Sequence, residues 1–163
     1  MNISRIAAAV AISVSATSSF AASLGTLDLS TGSGAFSNTP IAGSFVDTLT
    51  FILGASSTIN GSVGTVLNGN QDVDLTSIMI TGPTNVSFTQ RLFDPAPEIW
   101  ALPDAGTLLS PGTYTLTLTG VNSPGVATYA GNLAVTVIPE PQTYAMLLAG
   151  LGAVGFLARR RFS

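Results

Sequence analysis

The chain has 163 residues, with five Arg, no Lys, no His and no Cys against eight Asp and Glu, for a net charge of −3. Without His or Cys there is no Ser-His-Asp or Cys-His nucleophile, no zinc site of the usual kind and no disulfide; without Lys there is no Schiff-base chemistry and no phosphate-binding loop. Four of the Arg lie in the two end segments, so Ala22 to Val137 sets Arg91 against Asp28, Asp47, Asp72, Asp74, Asp94, Glu98 and Asp104, a net charge of −6 that excludes nucleic acid and anionic lipid as partners.

Met1 to Ala21 reads as a signal peptide. Arg5 is its single charge and Ile6 to Val14 its apolar core. Ser19-Phe20-Ala21 offers small residues at the two positions signal peptidase reads, which places cleavage after Ala21, with Ala22 as the alternative. A buried N-terminal helix is the other account, but the segment has no polar face and nothing to cap its end.

The stretch from Ala22 to Val137 is about 115 residues, enough for one core. Its pattern is β throughout. Leu24 to Ser30 alternates, with Leu27 and Leu29 on one face. Thr31 to Thr39 reads as a Gly/Ser/Asn loop. Phe45 to Phe51 is the clearest strand, with Phe45, Asp47, Leu49 and Phe51 sharing one face and Val46, Thr48 and Thr50 the other. Asp47 therefore falls on the apolar face, where a carboxylate must be paired or hydrogen-bonded. An acid that pins a loop fits better than a catalytic one, since no His or Lys exists to partner it.

Ser57 to Leu67, Val73 to Ile80 and Val86 to Phe93 read as further strands, divided by turn signals at Asn68-Gly69-Asn70 and Gly82-Pro83-Thr84-Asn85. Asn60-Gly61 is a hairpin signal that would split the first of them. Asp94 to Gly106, with three prolines and Trp100, reads as a long ordered loop or irregular edge. Gly112 to Gly120 alternates Tyr114, Leu116 and Leu118 with four threonines, and Val126 to Val137 gives the last strand or strand pair. Seven to nine short strands with regular turns imply an all-β fold, a single antiparallel β-sandwich of jelly-roll or immunoglobulin-like type.

Chemistry is sparse. Asp94 and Glu98 are the nearest carboxylate pair and share a loop with Trp100, so a glycoside hydrolase is conceivable. A turn residue before Pro95 is the plainer account of Asp94, and the chain is expected not to be an enzyme and to need no cofactor. Trp100, Tyr114 and Tyr129 are candidate stacking platforms for a carbohydrate. Asn68, Asn70, Asp72 and Asp74, two apart beside a glycine, are a weak calcium candidate that lacks the closing acid of an EF-hand loop; a polar turn running into a strand accounts for them as well.

The chain closes on Pro139-Glu140-Pro141, an uncharged run from Ala145 to Ala158, and Arg159-Arg160-Arg161. The prolines end any folded domain, the run seeks an apolar phase, and the arginines form a cytoplasmic stop. Residues 138–163 are thus expected to be a tail with a transmembrane helix, although the run is short for a full span.

This order of motif, apolar run and basic stop resembles the PEP-CTERM sorting signal of Gram-negative bacteria. The resemblance implies recognition at the inner membrane by an exosortase, after export by the Sec machinery and cleavage by signal peptidase, and removal of the tail. It also implies an association with exopolysaccharide and biofilm. Phe45 and Asp47, with Leu49 and Phe51 following, resemble the motif of the FxDxF family within that group; its second Phe is Leu49 here. Pro111 to Leu116 and Thr128 to Leu133 resemble segments that precede such tails. The expectation is an exported structural or interaction protein of the envelope or extracellular matrix, held at the inner membrane before processing and then periplasmic, surface or extracellular. A carbohydrate-binding module is the alternative.

Overall fold

Apolar residues at every second position define the frame. In β3 (Gly43–Leu53) they place Phe45, Leu49, Phe51 and Leu53 inward; in β10 (Gly112–Asn122) they place Tyr114, Leu116 and Leu118 inward. The computed structural model describes residues 20–66, 72–92, 97–122, 127–139 and 141–161. Most of the expected signal peptide lies outside them. Its last two residues, Phe20 and Ala21, belong to β1 (Phe20–Thr26), which runs parallel to β3 at the edge of a sheet.

Two sheets enclose one core. The first has the order β1-β3-β10-β5-β6, with β5 at Val73–Thr81 and β6 at Val86–Ser87. The second has the order β2-β11-β4-β8-β7, with β9 also paired to β4. Its strands are β2 (Ser33–Asn38), β4 (Ser57–Val66), β7 (Thr89–Leu92), β8 (Ile99–Ala101), β9 (Thr107–Leu109) and β11 (Thr128–Val137). Apart from β1 with β3, every pair among the described residues is antiparallel. The fold is a β-sandwich. Phe45, Leu49, Phe51, Ile78 and Leu116 of one sheet meet Ile59, Val63, Tyr129 and Leu133 of the other.

Local expectations fail where pairing overrides composition. Thr31 to Thr39 is not all loop: Ser33 to Asn38 forms β2 against β11 and buries Phe36. Asn60-Gly61 makes no turn, because β4 runs unbroken against β11. Gly61 is needed there for close approach, since a Cβ would stand 2.5 Å from Leu133 Cδ2. Val86 to Phe93 divides at the buried Phe88, where the chain passes from the first sheet to the second.

Helix α1 (Pro141–Arg161) begins with proline at its first position, where the absent N–H costs no bond. Its described side chains are all exposed, Met146, Leu148, Val154 and Phe156 among them, so it does not pack on the sandwich. Among the described residues no helix is long and apolar enough to cross a membrane. The uncharged run Ala145–Ala158 reaches about 21 Å at 1.5 Å per residue, against a hydrocarbon core about 30 Å thick.

Candidate functional site

Asp47 lies on β3 with its side chain turned inward and 1% exposed. Its Oδ2 accepts hydrogen bonds from Tyr129 Oη of β11 at 2.6 Å and from Asn38 Nδ2 of β2 at 2.8 Å. Both donors come from the opposite sheet, so the carboxylate ties the two layers together. The ring of Phe45, two residues earlier on the same face, stacks on the same Tyr129 with centroids 5.9 Å apart and planes 8° apart. Gly120 beside it leaves room for that ring: a Cβ there would stand 2.9 Å from Phe45 Cζ. Burial, then the hydrogen bond to Asp47 and its charge, push the Tyr129 hydroxyl far above the ordinary tyrosine value, so it remains a donor. Leu49 and Phe51 complete the inward row, and Phe51 stacks on Tyr114 at 5.4 Å. The four residues Phe45, Asp47, Leu49 and Phe51 are therefore core, with the acid as a cross-layer pin.

A second buried carboxylate does similar work on the other flank. Glu98, just before β8 and 4% exposed, accepts at Oε2 from the Leu75 main-chain N–H of β5 at 2.9 Å and at Oε1 from Gln90 Nε2 of β7 at 2.8 Å. Trp100 Nε1 lies 3.5 Å from Oε2. Thr65 and Glu98 also exchange two bonds, Thr65 N–H to Glu98 O and Glu98 N–H to Thr65 Oγ1. Desolvation raises the Glu98 pKa above the usual 4.5, opposed by the Leu75 N–H and helped by the charges of Asp74 and Asp72.

These contacts correct the stacking expectation for Tyr114 and Tyr129. Tyr114 and Tyr129 are fully buried and offer no face to a sugar. Tyr114 instead donates to Ser110 O four residues upstream, fixing the corner before β10. Trp100 is half-buried against the core and bonded to Glu98. Of the hydrolase pair, Asp94 lies outside the described residues, and Glu98 has both oxygens engaged. Of the calcium candidates, Asn68 and Asn70 lie outside the described residues, and Asp72 caps the Val73 N–H at the start of β5. Among the described residues no group of three acidic, His or Cys side chains is placed to hold a metal ion.

Sequence reasoning missed Asn38, which sits in the stretch read as loop. It also missed a cleft of about 530 Å³ at the end of the sandwich from which the tail departs, lined by Leu27, Leu29, Ile52, Leu53, Val135 and Val137 among others. Ile138 N–H donates to Ser56 O at 2.9 Å beside this cleft. Pro139, exposed, then carries the chain away from the sheet. Glu140 lies outside the described residues, Pro141 opens α1, and Arg159 and Arg160 are exposed on its last turn. Arg161 is the last helical residue.

Three solved structures resemble the sandwich at low identity. PliG of Salmonella Typhimurium, a periplasmic inhibitor of g-type lysozyme, is 17% identical with a TM-score of 0.39, covering 69% of this chain and 97% of its own. Aeromonas hydrophila PliG gives 10% and 0.40, covering 73% and 100%. The pre-peptidase C-terminal domain of Bacillus anthracis collagenase gives 15% and 0.35, covering 71% and 94%. Comparison with curated proteins gives no match. A family model matches over residues 137–161, a stretch that does not include Phe45–Phe51. From the last residue of β11 to the end of α1, this chain carries a PEP-CTERM protein-sorting motif.

Proposed function

We propose that this is an exported protein in which the tail is an address and the sandwich is the cargo. The carrying observation is the sorting motif over 137–161, on a helix whose described side chains are all exposed. In this reading an exosortase at the inner membrane recognises Pro139, Glu140 and Pro141 with the helix and the arginines, and removes the tail after export. A tail that buries no domain residue is removable without unfolding the cargo. The sandwich acts by binding rather than catalysis, outside the cytoplasm, as a structural or interaction protein of the envelope or matrix. Association with extracellular polysaccharide is the finer part of this proposal. The absence of His, Cys and Lys supports a non-catalytic role, as does the engagement of Asp47 and Glu98 in holding the sheets.

The test is the intact mass of the protein recovered from its host, by fraction, with and without the exosortase. A species ending near Pro139 that requires the enzyme is the expected result. A full-length tail ending at Ser163, unchanged when the enzyme is deleted, overturns the proposal.

A further inference from the structure

The outward face of the first sheet is rich in hydroxyl groups, interspersed with the apolar side chains of Ile52, Val46 and Met79 opposite Thr113, Thr119 and Thr117. Its centre is β10, where Thr113, Thr115, Thr117 and Thr119 all point away from the core, exposed or half-buried. Register brings further hydroxyls alongside. Thr115 pairs with Thr50 of β3 and Thr81 of β5, and Thr50 pairs with Thr26 of β1, giving four threonines in line across four strands. Thr117 pairs with Thr48, which pairs with Ser23; Thr119 pairs with Ser77. Thr48, Thr76 and Thr81 turn their hydroxyls to main-chain carbonyls. The hydroxyls of the four β10 threonines have no partner among the described residues.

Two physical facts narrow what such a surface takes. The first is charge. The domain is strongly acidic, yet no charged residue stands in these rows; Asp74 lies at their rim, paired with Val121. A charged polymer would find no counter-charge here, whereas a neutral one meets no repulsion within the rows. The second is size. Strands about 4.8 Å apart and residues about 3.4 Å apart make the lattice about 14 Å by about 20 Å, on the order of 300 Å². A standard protein interface takes about 800 Å² per partner, so a second copy or another folded protein would not be held by this patch alone. A narrow, uncharged, hydroxyl-rich chain lying along β10 fits both limits. Its hydroxyls meet the free Thr hydroxyls, and its C–H faces meet the Thr methyls.

We infer that the threonine lattice centred on Thr115 and Thr117 is a binding surface for an uncharged polysaccharide chain. This deepens the interaction role proposed above and makes the ligand class specific. It uses none of Trp100, Tyr114 and Tyr129.

The experiment is retention of the full chain on insoluble neutral glucans, namely cellulose, β-1,3-glucan and starch, with alginate as the anionic comparator. The key variant carries Thr115→Val and Thr117→Val, which keep shape and β-branching while deleting two hydroxyls. Loss of two neutral hydrogen bonds corresponds to a fall in retention of about tenfold. Thr136→Val, exposed on β11 of the other sheet, is expected to change nothing. An unchanged melting temperature in the double variant shows that the fold persists. Retention on at least one neutral glucan, reduced about tenfold by the double variant alone, supports the inference. No retention on any neutral glucan, equal retention by the double variant, preference for alginate, or adsorption to ice in place of glucan overturns it. Tail processing is read separately by mass, so a failure of sorting and a failure of the lattice cannot be confused.

Discussion

The two flanks of the sandwich are each closed by a buried carboxylate, and they are closed differently. On the β3 flank Asp47 takes both of its bonds from side chains of the opposite sheet, Asn38 and Tyr129. On the β5 flank Glu98 takes one bond from a main-chain N–H of the opposite sheet and the others from side chains of its own, Gln90 and Trp100. The first pin is made of side chains alone and has a stacked ring beside it. The second is partly built into the backbone, in a more acidic neighbourhood. Burial of a charge is thus tolerated in two ways, by dedicated donors or by a donor the sheet already supplies.

The sharpest way to break this contrast is Asp47→Ala. It leaves the Tyr129 hydroxyl buried without its acceptor and removes two charge-assisted bonds, so a loss of about 3 kcal/mol is expected in urea unfolding. A loss under about 1 kcal/mol would mean that Asp47 does not tie the layers. Next in size is Tyr129→Phe, which keeps the ring over Phe45 and deletes one bond to a charged group, for about 2 kcal/mol. In the Asp47→Ala background the same change should have almost no effect, and additivity would refute the coupling.

Glu98→Gln should be milder, within about 1 kcal/mol at pH 7, because the amide keeps an acceptor for Leu75 N–H and Gln90 can turn its own amide to meet the new donor. Its pH signature is distinct. The folded protein holds the Glu98 proton more tightly than the unfolded chain does, so acid favours folding. That contribution is fully present below the ordinary value of 4.5 and is lost as pH rises through the raised folded value. Wild type minus Glu98→Gln stability, followed by denaturation from pH 7 down to pH 4, should rise on acidification; a flat or falling difference would contradict the raised value. Smallest of all is deletion of residues 141–163. Since the described part of α1 buries nothing on the sandwich, the unfolding midpoint should move by less than about 0.5 kcal/mol.

The β3 pin was half legible in the sequence. A period of two puts Asp47 among Phe45, Leu49 and Phe51, and the need for partners follows from burial alone. Its partners were not legible, because Asn38 lies in a Gly/Ser/Asn stretch that becomes a strand through pairing with β11. Tyr114 was legible and misassigned: it shares the phase of Leu116 and Leu118, which already marks it as inward. Asn60-Gly61 is a strong local turn signal outweighed by ten consecutive pairs between β4 and β11. The passage at Phe88 from one sheet to the other leaves no trace in periodicity, since both halves alternate. The tail was legible in order and composition, including the shortness of its apolar run, and among the described residues no helix is long and apolar enough to cross a membrane.

The exit of the tail has a mechanical consequence. β11 is bonded on both sides, to β2 and to β4, and Ile138 adds one further bond to Ser56 before the prolines begin. Tension applied at the C-terminus therefore enters the molecule along the axis of an interior strand. It loads two ladders together in shear instead of opening an edge one bond at a time. While the tail is gripped, whether by an enzyme or by whatever later holds the trimmed end, the sandwich resists being pulled open from that side. β1, the first described strand, is by contrast an edge strand held by a single ladder, to β3.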